Sequence, residues 1–293
     1  MDYNTVGTSE LNVSEVSFGC MSLDPRQETA NTLLRQAYDA GINFFDTADL
    51  YDRGRNEEIV GQALAPVRSN VYIATKVGNV WKEDGSGWDW KPTKEHILSA
   101  VDESLKRLQT DYIDLYQLHG GTIDDPIDDI IEAFELLKAE GKIRAYGISS
   151  IRPNVIRQYV DRSNIDSVMM QYSLLDRRPE EFCLNLLKEH HISVLCRGTL
   201  GKGLLIGKKL KEYLGYNIWQ LRKLRVSMKE LGNPIAQALR FVLQHPAVAS
   251  AVTGVRTAQQ LNEIIHSLEV PVSKQHLQIL SEILTPNYYQ KHR

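Results

Sequence analysis

The chain has 293 residues, of which 42% are hydrophobic and 24% charged, and its formal net charge is −3. Those figures allow a large buried core and exclude a disordered or fibrous polymer. Lysine and arginine are dispersed, so nothing offers the basic stripe that a phosphate backbone requires, and no nucleic-acid partner is expected.

The opening MDYNTVGTSELNVS has neither a basic nor an apolar leader segment, and its Gly7 and Ser9 predict a short hairpin. Beyond it, compact apolar runs alternate with stretches of helical period. Strands are predicted over residues 16–19, 43–46, 71–76, 113–118, 145–149, 167–171, 193–196 and 250–252. Between them lie amphipathic segments such as ETANTLLRQAYDAG, TKEHILSAVDESLKRL and PIDDIIEAFELLKAEGK, several opening on Pro, Asn or Thr and stopping at Gly as capped helices do. No long uncharged apolar run occurs, so no membrane partner is expected. Cys20, Cys183 and Cys196 form no CxxC pair and sit in or beside apolar segments, which suits a reducing cytoplasm.

Eight strand–helix repeats close most economically into a single α/β domain, a (β/α)₈ TIM barrel over residues 1–293, because parallel strands need covered faces and right-handed crossovers. The rival is an open doubly wound sheet. That fold binds dinucleotides through GxGxxG after its first strand, whereas here the first strand runs into GCMSLDP. Gly201, Gly203 and Gly207 come late and at the wrong spacing. Two connections are long, 77–92 with Trp81, Trp88 and Trp90, and 197–218. Long loops in barrels form lids or pocket walls, and the tryptophans read equally as rim staples or substrate contacts.

Barrel chemistry lies at the carboxyl ends of the strands. Those ends carry Asp46 with Tyr51 just beyond, Lys76, and His119. Singly, each reads as a cap or a solvated side chain. Together they suit protonation of an oxygen that gains negative charge. A cation beside a phenol stabilises the phenolate, so Lys76 is expected to prepare Tyr51 as a general acid, Asp46 to support Lys76, and His119 to orient a carbonyl. None of the four supplies a hydride, so a reduced nicotinamide is implied. Paired carboxylates for a hydrolase, Asp46 with Asp49 or Glu57 with Glu58, are poorly provided, since Asp49 lacks a partner acid on another strand end and the adjacent Glu57 and Glu58 cannot both face one mouth.

FFDTADLYDRG, YIATK, DYIDLYQLH, GISS, MMQYSLLDR and GVRTAQQLNE, in that order, resemble the aldo-keto reductase superfamily along nearly the whole chain. The resemblance implies a cytosolic barrel reducing aldehydes and ketones with NADPH, with Asp46, Tyr51, Lys76 and His119 as its tetrad. It further implies that Ser149 and Gln171 hold the nicotinamide carboxamide and that Leu200, Lys202 and Gly203 belong to the loop over the pyrophosphate. Gly254, Arg256, Gln260 and Glu263 would form the adenosine end, with Arg256 as the fork for a 2′-phosphate. Arg197 stands where many members place a stacking tyrosine. Ser150 and Ser173 stand where asparagines are usual, which should weaken hydrogen bonding without abolishing it. Ile264 replaces another asparagine, and a connection after residue 207 shorter than in many relatives points to a looser clasp on NADP(H). Some members of the superfamily bind nicotinamide as sensor subunits with little turnover, and the tetrad alone does not separate that alternative from an enzyme.

Overall fold

Short apolar segments flanked by amphipathic helices leave every strand with two faces to cover, and closure into a ring covers both. In the computed structural model, which describes residues 1–293, the strands are β1 (Tyr3–Thr5), β2 (Asn12–Ser14), β3 (Val16–Gly19), β4 (Phe44–Asp46), β5 (Tyr72–Val77), β6 (Asn79–Trp81), β7 (Trp88–Trp90), β8 (Ile113–Leu118), β9 (Ile143–Ser149), β10 (Ser167–Gln171), β11 (Ser193–Arg197) and β12 (Val248–Gly254). The helices are α1 (Gln27–Asp39), α2 (Arg55–Leu64), α3 (Lys94–Leu108), α4 (Ile127–Ala139), α5 (Pro153–Arg162), α6 (Cys183–Glu189), α7 (Ile218–Glu230), α8 (Pro234–Leu243), α9 (Ala258–Glu269) and α10 (Lys274–Glu282). Strands β3, β4, β5, β8, β9, β10, β11 and β12 form a closed parallel barrel in that order, with β12 pairing back onto β3. This is the expected (β/α)₈ TIM barrel.

Two apolar layers hold it together. The outer one packs helix faces such as Leu33, Leu34 and Ala37 of α1 and Ile130, Phe134 and Leu137 of α4 against the barrel wall. The inner one fills the barrel with Phe44, Ala74, Leu115, Ala145, Met169 and Leu195. β1 and β2 form the expected hairpin, whose Val6, Leu11 and Val13 join that inner layer and plug the end remote from the strand termini. Gly7, at φ 57°, makes the tight approach possible: a Cβ there would come within 2.4 Å of the Asp166 carbonyl oxygen.

The expected strands beginning at Val16, Ile113 and Ser167 keep their limits, whereas β9 and β12 start two residues earlier than expected. Exposed Arg144 interrupts the apolar run of β9 on the solvent side and hides its start. The 77–92 connection is more ordered than a loop: β6 and β7 pair antiparallel with Trp81 opposite Trp88 and Asn79 opposite Trp90. The 197–218 connection leads into α7, whose buried face is only Leu221, Leu224 and Met228. All three cysteines are free and buried, and burial pushes the Cys196 thiol up to about 12. No helix is long and apolar enough to cross a membrane.

Candidate active site

Register fixes the mouth of the barrel. Gly19 pairs with Asp46, Asp46 with Ala74, and Lys76 with Gln117, so the ends of β3, β4, β5 and β8 come level around one opening. A cavity of about 1020 Å³ occupies that opening, and Asp46, Tyr51, Lys76 and His119 all line it.

Lys76 is 1% exposed and Asp46 4%, yet neither is isolated. Lys76 Nζ donates to Asp46 Oδ1 at 2.7 Å and Oδ2 at 2.8 Å, and to the Thr47 carbonyl oxygen at 2.6 Å. Burial works against the ammonium, but Asp46 and then Tyr51 outweigh it and hold Lys76 above its ordinary value, while burial pushes the Asp46 carboxyl up against the pull of Lys76; the 2.7 Å contact between them marks an ion pair. The ammonium lies 5.1 Å from the centroid of the Tyr51 ring. Burial pushes the Tyr51 phenol above its ordinary value, and Lys76 is the largest influence drawing it back. The pull expected of the cation is thus present, while burial outweighs it. Net, the phenol keeps its proton.

The His119 ring meets Tyr51 edge-on, with centroids 5.7 Å apart and planes at 80°. Burial, reinforced by Lys76 and Arg197, pushes the imidazole down to about 3, so it is neutral at physiological pH. A neutral imidazole keeps one N–H to donate and one lone pair. Because the folded value is depressed, folding favours the neutral ring. The associated stability is complete above the unfolded value near 6.5 and lost progressively as pH falls towards 3. Between pH 7 and 5, the His119→Gln variant is expected to lose about 2 kcal/mol less stability than the wild type. Urea titrations at the two pH values check this, and equal losses would contradict a buried neutral His119.

The tryptophan hairpin both staples itself down and lines the cavity. Trp81 Nε1 donates to the Leu50 carbonyl oxygen at 3.1 Å, Trp90 Nε1 to Asp125 Oδ1 at 2.9 Å, and Trp81 meets Trp88 edge-on at 5.6 Å between centroids. All three rings border the cavity. The same hairpin is thus stapled to the rim and exposed to the cavity.

Of the residues expected around a cofactor, Ser149, Gln171, Arg197, Lys202 and Gly254 line this cavity. Gln171 and Arg197 are register partners on β10 and β11. Leu200 packs on the outer core and Gly203 closes a turn behind Lys202, so neither borders the opening. Arg256 lines a separate groove of about 370 Å³ with Thr29, Thr32, Gln36 and Thr257. Beside it, Gln260 Oε1 accepts from the Arg256 backbone N–H at 2.9 Å and Glu263 accepts from Gln259 at 2.8 Å. Ser173 Oγ accepts from the backbone N–H groups of Leu175 and Asp176, and Ile264 is buried in the core, so these two departures serve local structure.

Near the mouth, Gln117 and Arg152 are not singled out by the sequence, and Asp49 reads there only as a carboxylate without a partner acid. Gln117, directly beside Lys76 in register, keeps both amide atoms buried without a partner. Asp49 is pushed up to about 7 by burial and by Glu57. Arg152 lines the cavity from the end of β9. Glu57 itself is buried and tied to Thr75 at 2.5 Å and Arg107 at 2.6 Å, while Glu58 faces out to Arg55, so the two are not a catalytic pair.

The fold and the mouth place the chain among the (β/α)₈ barrels whose reactive groups project from the carboxyl ends of the strands. More narrowly, it belongs to the aldo/keto reductase family, whose model matches residues 15–285. It is 50% identical over 301 residues to YqkF, an uncharacterized oxidoreductase of Bacillus subtilis, with 98% of each chain covered. It is 30% identical over 316 residues to the NADH-specific methylglyoxal reductase of Escherichia coli, covering 95% of this chain and 97% of that one. The holo form of an aldo-keto reductase from Bacillus halodurans superposes with a TM-score of 0.96 at 48% identity, over 100% of this chain and 99% of that one.

Proposed function

We propose that this chain reduces aldehydes and ketones to alcohols with NADPH, Tyr51 giving the proton. The observation that carries the reading is the buried Lys76–Asp46 ion pair set beside a protonated Tyr51 and a neutral His119 at one mouth. When bound, a reduced nicotinamide supplies the hydride. His119 offers its ring N–H to the carbonyl oxygen and orients it. As that oxygen becomes an alkoxide it outcompetes even an elevated phenol for the proton, and Lys76 stabilises the phenolate left behind. A high value in the resting site therefore fits a donor that must keep its proton until the oxygen demands it. Asp46 holds Lys76 charged and in place.

The residues at hand suit such a cofactor. Arg197 and Lys202 border the cavity with no carboxylate within 4.0 Å, which leaves two cations available to phosphates. Ser149 and Gln171 bring hydrogen-bonding groups to the carboxamide end. Arg256, exposed at the start of α9, is the proposed 2′-phosphate fork. Replacing it with alanine is expected to weaken NADPH about 10- to 100-fold and leave NADH nearly unchanged. Fluorescence titration of both nucleotides measures this, and equal weakening of the two would contradict NADP preference. The reductase reading itself is tested by following NADPH oxidation against a panel of aliphatic and aromatic aldehydes. Tight cofactor retention without turnover of any carbonyl would instead support a sensor.

A further inference from the structure

Resting on the reductase reading, we propose that Arg152 is an anion-recognition residue in the substrate half of the mouth, and that the preferred substrates are aldehydes or ketones carrying a carboxylate. The cavity is bordered by four cations, Lys76, Arg152, Arg197 and Lys202, and by two carboxylates, Asp46 and Asp52. Lys76 and Asp46 neutralise each other at 2.7 Å. Arg197 and Lys202 lie on and after β11, on the side where Gln171 and Gly254 also stand, and a dinucleotide there would engage them. Arg152 is left over.

Its side chain runs the opposite way. Arg152 follows the end of β9, and its Nη1 donates to the Gly121 carbonyl oxygen at 2.8 Å, beyond the end of the neighbouring strand β8, which His119 directly follows. That carries the guanidinium towards the tetrad and the tryptophan hairpin, where Trp90 packs over Gly120. One donor is used in anchoring the group, and a guanidinium has five. No carboxylate lies within 4.0 Å of it. The acid nearest Gly121, Asp125, already accepts from Trp90 Nε1 at 2.9 Å, from the Thr122 N–H at 2.7 Å and from Thr122 Oγ1 at 2.8 Å. Asp52 belongs to the turn after β4, on the other flank.

Helix capping does not account for the arginine either. Arg152 is the N-cap of α5, where its side chain caps nothing and its charge opposes the helix dipole. A half-buried, anchored and unpaired guanidinium in a tryptophan-lined mouth is suited to grip a carboxylate as a fork while an apolar stem lies on the rings.

The test compares 4-formylbenzoate with its neutral methyl ester at saturating NADPH, in the wild type, Arg152→Met and Arg152→Lys. The wild type is expected to favour the acid by about tenfold in kcat/KM, through KM, with the preference abolished in Arg152→Met and partly kept in Arg152→Lys. Raising the salt concentration should shrink the wild-type preference. Reduction of the ester with no preference for the acid, or a preference unchanged in Arg152→Met, overturns the anion subsite while leaving the reductase reading intact. Failure of the wild type to reduce either compound overturns both.

Discussion

Tyr51→Phe is expected to lower the rate of carbonyl reduction by about 10²- to 10⁴-fold while leaving NADPH affinity within a factor of about two. The substitution removes one oxygen and keeps the ring that meets His119 edge-on, so packing at the mouth is preserved. What is lost is the Tyr51 hydroxyl, whose ring lies beside the Lys76 ammonium and which would give its proton to the developing alkoxide. The loss should therefore fall on kcat rather than on cofactor binding, and single-turnover NADPH oxidation separates the two. A variant retaining more than about a tenth of the wild-type rate would assign the proton to another group.

The second large effect is expected at Lys76. Replacing it with methionine leaves the Asp46 carboxylate buried with no cation to meet it, a change that costs about 3–5 kcal/mol of stability as well as activity. Stability and chemistry can be separated by a second substitution. The double variant Lys76→Met with Asp46→Asn no longer buries an unpaired charge and should recover most of the lost stability, but not the activity, because the phenolate still lacks its counterion. Denaturant midpoints and turnover of the two variants measure both quantities. Recovery of turnover in the double variant would show that Lys76 serves structure and not catalysis.

The parts of this molecule that were legible in the sequence are those where one local pattern decides the outcome. Asp46, Lys76 and His119 each end an apolar run, and strand ends in a barrel meet at one mouth, so the sequence order of three distant segments sufficed to bring them together. Parts that depend on contacts between segments were hidden. The hairpin of β6 and β7 has strands of three residues separated by a charged, glycine-rich turn, too short for a period of two to register. Arg152, next to a proline at a helix start, reads as an ordinary boundary residue. Its significance comes from Gly121, 31 positions away. Gln117 and Asp49 owe their interest to burial and to what surrounds them, neither of which a strand or turn pattern encodes. The sequence also pointed to Lys76 lowering the phenol, and only the depth of the site reveals that burial wins that contest.

The most direct measurement is the fate of an isotopic label. Turnover of 4-nitrobenzaldehyde with NADPH carrying deuterium at the reactive position of the nicotinamide, in ordinary water, should give 4-nitrobenzyl alcohol with one deuterium on the carbinol carbon, and Tyr51→Phe should form it orders of magnitude more slowly. Alcohol formed without deuterium from either face of the nicotinamide, or no alcohol at all, would contradict carbonyl reduction at this mouth.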